Sequence, residues 1–170
     1  DVPLAALFMA PTAAGLARLL GGAPVAAPLP VLPRGVPLPL GAAQRRLWAA
    51  DRLSGGDSRW TMGGPMVLRG KLDAGAIADA LTAIVARHEP LRTRFVEDID
   101  GPVQVVDPPD FQLEQAESGD LQGALADAAA FMARPFDLAV DRPFRARLTR
   151  AEDGVSILSL AVHHIAADGW

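Results

Sequence analysis

The residues best suited to chemistry stand together near the end of the sequence, in His163-His164-Ile165-Ala166-Ala167-Asp168-Gly169-Trp170. They follow a nearly continuous apolar run, residues 155–162, that reads as a buried strand running out into a loop. A strand holds the backbone of such a group still, and the loop gives access to a substrate. Imidazole titrates near neutral pH, which suits proton transfer. Successive strand side chains point to opposite faces, so one histidine is expected to face the interior and the other a cleft. As bare chemistry three readings stand: a metal site, a pair of structural histidines, or an acid–base or positioning group. Opposed faces disfavour joint ligation by His163 and His164, and no further Cys or His cluster completes a metal site. The expectation for metal is none.

The elements that must position these residues are of mixed type. The hairpin leading to them is the clearest: Phe144, Ala146 and Leu148 alternate with Arg145, Arg147 and Thr149, Asp153-Gly154 offers a tight turn, and the apolar strand returns. This alternation predicts a first strand with one wet face. Helices are predicted over Ala42–Leu53, after a cap at Asp73 with Ile77, Leu81, Ile84, Val85 and His88 on one face, and over 121–132. Further strands are predicted at 66–68, 91–96 and 103–106. His88 is read as structural, and Trp48 and Trp60 as packing residues. Near the start, Pro11-Thr12 reads as the beginning of a helix carrying Leu16, Leu19 and Leu20, with Gly21-Gly22 as its stop. Six prolines between Pro24 and Pro39 disfavour helix and central strand alike, so a domain boundary falls there.

The 170 residues are half hydrophobic, enough for a sizeable core. A net charge of −4 with no basic stripe recommends neither nucleic acid nor an anionic membrane as partner. The absence of cysteine excludes a disulfide framework, a thiolate ligand and a Cys nucleophile. No charged segment leads into an apolar one as in a signal peptide, and the apolar stretch 23–40 is broken by prolines and Arg34, so a soluble, cytoplasmic protein is expected.

The terminal cluster resembles the HHxxxDG motif of the condensation domains of nonribosomal peptide synthetases. Arg87-His88-Glu89-Pro90-Leu91-Arg92-Thr93-Arg94-Phe95 matches that family's RHExLRTxF at every specified position. Gly41-Ala42-Ala43-Gln44-Arg45-Arg46-Leu47-Trp48 is similar to its SxAQxRLW, with Gly41 in place of the Ser, and Ala133-Arg134-Pro135-Phe136-Asp137-Leu138 resembles its segment before the hairpin. Leu7-Phe8 and Pro11-Thr12, with the Ala/Leu helix after them, resemble the end of a peptidyl carrier domain.

The resemblance implies three parts: the C-terminal helix of a carrier domain at 1–20, a Pro-rich linker at 21–36, and the N-terminal lobe of a condensation domain at 37–170. The implied fold is an α/β (α+β) sandwich of helices on a mixed sheet, one lobe of a chloramphenicol acetyltransferase-like V whose second lobe is missing here. A fragment without that lobe is expected to be inactive. The implied reaction is peptide-bond formation between carrier-bound thioesters. His164 is then the catalytic residue and the Gly169 N–H faces the oxyanion, while His163, Asp168 and Arg92 are structural residues of the active site. Arg92 is expected to reach Asp168. No cofactor is expected to bind directly, since the 4'-phosphopantetheine arms belong to the carriers. Expected partners are the upstream donor and downstream acceptor carrier domains and the adenylation domain of the same module. The uninterrupted linker leads to the expectation of an L or achiral donor. A stand-alone acyltransferase of the same fold and a non-catalytic carrier-docking module are the alternatives.

Overall fold

The computed structural model describes residues 4–20, 28, 33, 35–152 and 154–168. Gly169 and Trp170, Gly21-Gly22, Asp153 and most of the proposed linker lie outside the described residues. The chain divides into two compact units, residues 1–33 and 34–170. In the first, α1 (Leu4–Met9) is followed by α2 (Ala13–Leu20), whose first turn is capped where the Gly15 N–H donates to Thr12 Oγ1 at 3.1 Å.

Among the described residues the second unit holds two sheets and three α-helices. Its elements in order are β1 (Leu38–Pro39), α3 (Ala42–Leu53), β2 (Thr61–Arg69), α4 (Ala74–Arg87), β3 (Thr93–Asp98), β4 (Gly101–Val106), β5 (Glu114–Glu117), α5 (Leu121–Ala133), β6 (Phe144–Arg150) and β7 (Val155–His163). One sheet has the order β1-β4-β3, the other β2-β7-β6-β5. The second sheet is mixed: β5 runs parallel to β6, and the other pairs are antiparallel. The fold is thus α/β, as expected. Among the described residues no helix is long and apolar enough to cross a membrane.

Local chemistry explains the boundaries. Asp73 caps α4 by accepting from the Gly75 and Ala76 N–H groups, and Asp120 caps α5 by accepting from Gly123. At α3 Gly41 has no side chain to accept from the first turn, and only the other half of a capping box is made, with Gln44 Oε1 accepting the Gly41 N–H at 2.9 Å. Gly63 lets β2 lie against β7: its φ is +111°, and a Cβ there would stand 2.1 Å from the Leu160 carbonyl oxygen.

Helix α5 packs on the sheet through Ala124 and Ala128 against Ile157. Phe131 joins Leu40, Phe95, Phe136, Leu138, Ala161 and Ile165 in the main core. This cover corrects the expectation of a wet face on β6. Arg145 is only 8 % exposed and Thr149 is fully buried, because α5 packs over a face that local alternation marks as polar, while β5 pairs along the edge of β6. The Arg145 guanidinium caps the end of α5, donating to the carbonyls of Phe131, Arg134 and Pro135, and lies 3.9 Å from the centre of the Phe136 ring. Burial, aided by Arg134, pulls its pKa down to about 10. Arg147 and Thr149 share Asp127, each at 2.7 Å.

Two placements of Arg92 and His88 also differ from expectation. Arg92 ends a 3₁₀ turn (Glu89–Arg92) instead of lying within a strand over 91–96. His88, expected on the apolar face of α4, is the exposed cap between that helix and the turn. Strands β1 and β5 were not predicted, being only two and four residues long.

Candidate active site

Strand alternation separates the two histidines as the sequence predicts. His163, opposite Thr61 in the ladder, points to the α5 side and is 1 % exposed. His164 points the other way, its side chain 30 % exposed. The strand ends there: the His164 N–H donates to the Trp60 carbonyl at 2.8 Å, and the Ala166 N–H closes a turn on the His163 carbonyl at 3.0 Å. The Trp60 and His164 rings lie 6.3 Å apart at 28°.

Hydrogen bonds to the backbone fix the tautomer of each ring. His163 Nδ1 accepts the Ile165 N–H at 3.1 Å, so the ring proton of the neutral form sits on Nε2, 3.5 Å from Asp51 Oδ1. Burial lowers the His163 pKa more than Asp51 raises it, and His164 lowers it further. Protonation would also cost the Ile165 hydrogen bond, because Nδ1 would have to become a donor. His163 is therefore a neutral, structural ring.

His164 has the opposite arrangement. Its Nδ1 lies 2.9 Å from the Ala167 carbonyl, an acceptor only, so Nδ1 carries the proton and Nε2 keeps its lone pair. That nitrogen is 4.0 Å from Asp168 Oδ1, a carboxylate whose side chain is 60 % exposed. The arrangement suits a group that accepts a proton, or the hydrogen bond of an amine, at Nε2 and has an anion nearby when it becomes charged. Solvent around Asp168 keeps that charge effect small.

The expected pairing of Arg92 with Asp168 is not what the structure holds. Arg92 donates to the Asp107 carbonyl and stands 3.9 Å from Glu89, while the Asp107 N–H donates back to the Arg92 carbonyl at 3.0 Å. The reason is positional: the 3₁₀ turn sets Arg92 beside the end of β4, and Asp168 belongs to the loop after β7. Arg94, on the same segment, makes the stronger pair. It grips Asp107 with two bonds of 2.8 and 2.9 Å and reaches the Ala139 carbonyl, and its hydrogen bond holds the Asp107 carboxyl below the usual range.

Asp51 is the residue that sequence reasoning missed. It lies on α3, only 5 % exposed, with one carboxylate oxygen facing His163. Helical spacing could have flagged it, since it stands one turn from Leu47 and Trp48, which pack on the core. A cavity of about 370 Å³ opens on this side, lined in part by Trp48, Asp51, Phe95, Phe136 and Leu138; His164 does not line it. Among the described residues no group of three or more His, Asp or Glu is placed to hold a metal ion.

A family model described as "Condensation domain" matches residues 37–170. The chain is 41% identical over its whole length to a probable non-canonical nonribosomal peptide synthetase, CymA, of Salinispora arenicola, and 40% identical over 85% of its length to the chondramide synthase of Chondromyces crocatus. It spans 2% and 4% of those two proteins. Among solved structures, the complex of the X-domain and OxyB from teicoplanin biosynthesis is similar at a TM-score of 0.74 and 32% identity, over 87% of this chain and 32% of that one.

Proposed function

Since the chain belongs to the condensation-domain family, we propose that residues 37–170 supply the histidine-bearing half of an amide-forming acyl-transfer site. The observation that carries this is the pair of opposed tautomers: a buried His163 anchoring the loop, and an accessible His164 whose Nε2 is free to accept. In the reaction, an amine nitrogen on the acceptor thioester attacks the donor's thioester carbonyl. The C–N bond forms, the C–S bond breaks, and the thiol leaves with the electron pair. The nitrogen's proton passes by way of His164 Nε2 to the leaving sulfur. Both substrates come on 4'-phosphopantetheine arms of upstream and downstream carrier domains, with an adenylation domain of the same module loading the acceptor. Asp168 shapes the loop, and the Gly169 N–H faces the developing oxyanion. Arg92 braces the segment before β3 from the Asp107 side. Residues 1–20 are read as the end of the donor carrier domain, supported by the similarity that runs through them.

The test is single-turnover transfer in the complete synthetase, with both carriers loaded and amide product measured by mass spectrometry. His164→Ala is expected to slow transfer by about 10² or more. Undiminished transfer in that folded variant rules the assignment out. A second reading, a docking module without chemistry, is favoured by the likeness to an X-domain seen in complex with another protein. It predicts carrier binding with no amide product from the unaltered protein.

A further inference from the structure

We infer that Asp51 is a positioning residue for His164, acting through His163 and the backbone of the loop between them. The inference rests on His164 as the reacting group. Asp51 is on α3, far in sequence from the loop, and nearly all of its carboxylate is out of solvent. Its Oδ1 has no hydrogen-bond partner, and neither has His163 Nε2. The two atoms face each other at 3.5 Å, an electrostatic contact more than an aligned hydrogen bond.

A buried carboxylate costs stability unless something offsets it, so its place here calls for a reason. The orientation of His163 supplies one. The imidazole has its Nδ1 on the Ile165 N–H, so its ring plane and the path of the chain after β7 are set together. Asp51 holds the other end of the same ring, and the Phe136 ring meets it edge-on at 6.0 Å. Turning the ring over would put C–H groups in both places, and the other neutral tautomer would set Nδ1–H against the Ile165 N–H, two donors facing each other, with a lone pair against the Asp51 carboxylate. The carboxylate thus selects the tautomer and rotamer that receive Ile165. The adjacent residue is His164, whose own Nδ1 contact on Ala167 depends on the turn beginning there. A displacement of about 1 Å at a reacting group costs up to ~10² in rate.

The experiment uses the complete synthetase with Asp51→Asn and Asp51→Ala, measuring single-turnover rate at saturating acceptor carrier and the KM for that carrier. Asp51→Ala is expected to transfer about tenfold slower with KM unchanged, and Asp51→Asn, which keeps an oxygen facing Nε2, to fall between it and the unaltered protein. Transfer at the unaltered rate by Asp51→Ala overturns the inference, as does a loss that lies wholly in KM. If Asp51→Ala does not fold, Asp51→Asn decides by the same two criteria. His164→Ala is run alongside: an inert unaltered protein, or an active His164→Ala, counts against the reading of the site itself and not only against Asp51.

Discussion

The two polar regions on the α5 side of the main sheet are built on opposite terms. Along β6, carboxylates and guanidinium groups are paired: Arg147 lies between Glu114 and Asp127, Thr149 donates to Asp127, and Arg134 returns to Glu114 at 2.8 Å. Burial alone would raise the Glu114 carboxyl, but Arg134 and Arg147 hold it below its usual range. At the exit of β7, two strands from β5, several polar atoms have no hydrogen bond: Asp51 Oδ1, His163 Nε2, Thr61 Oγ1 and Trp60 Nε1 are buried and unmatched, as are Arg145 Nε on β6 and Ser159 Oγ on β7. A matched network serves stability and specificity, whereas unmatched polar atoms are tolerated where the chemistry uses them.

The contrast can be broken most sharply from the matched side. Asp127→Ala removes the acceptor of a buried hydroxyl and one partner of Arg147, and is expected to cost about 1–3 kcal/mol, read by thermal or denaturant unfolding. An unchanged midpoint would mean that the β6 network adds nothing to the fold. The effect of His163 is smaller and depends on pH. Its folded pKa lies below the ordinary 6.5, so the unfolded chain takes up the proton first as pH falls. Stability is therefore full above about 6.5 and declines as the pH drops below it toward the lowered folded value. The charged and titratable groups acting on His163 are Asp51 from α3 and His164 beside it. Comparing midpoints at pH 7.5 and 5.5, the fall is expected to be shallower in His163→Asn; an equal fall in both would remove His163 from the account. The smallest effect is the baseline. Arg52 and Glu97 pair at 3.1 Å with both side chains more than half exposed, and Glu97→Gln is expected to cost at most ~0.5 kcal/mol by the same unfolding measurement.

What the sequence made legible was local. The bounds of α3 coincide with those predicted, Asp73 caps α4, the β6–β7 hairpin pairs as expected, and the two histidines take opposite faces. Each of these depends on caps, turns or a period of two. What escaped depends on contacts across the chain. Arg145 and Thr149 read as solvent-facing because nothing in residues 144–150 tells that α5 will cover them. The parallel pairing of β5 with β6 is set by a crossover, not by any feature of the four residues Glu114–Glu117. Arg92 was drawn to Asp168 by motif membership, while a single 3₁₀ turn turned it toward Asp107. Asp51 carries no sequence signal beyond its helical position, and its partner lies on another element altogether.

The ladder between β2 and β7 also sets a clock. Thr61 pairs with His163 and Arg69 with Val155, so the strand of this sheet made first must find the one made last, with α4, β3, β4, β5, α5 and β6 between them. At ribosomal speeds of ~5–20 residues per second, β2 waits roughly five to twenty seconds for its neighbour. Through that interval Met66 and Val67, both more than two-fifths exposed even in the folded chain, have no β7 to pair with. Slowing translation between α5 and β7 would lengthen this exposure. Synonymous codon choice over residues 134–163 is thus a lever on yield that leaves every side chain of the finished protein unchanged.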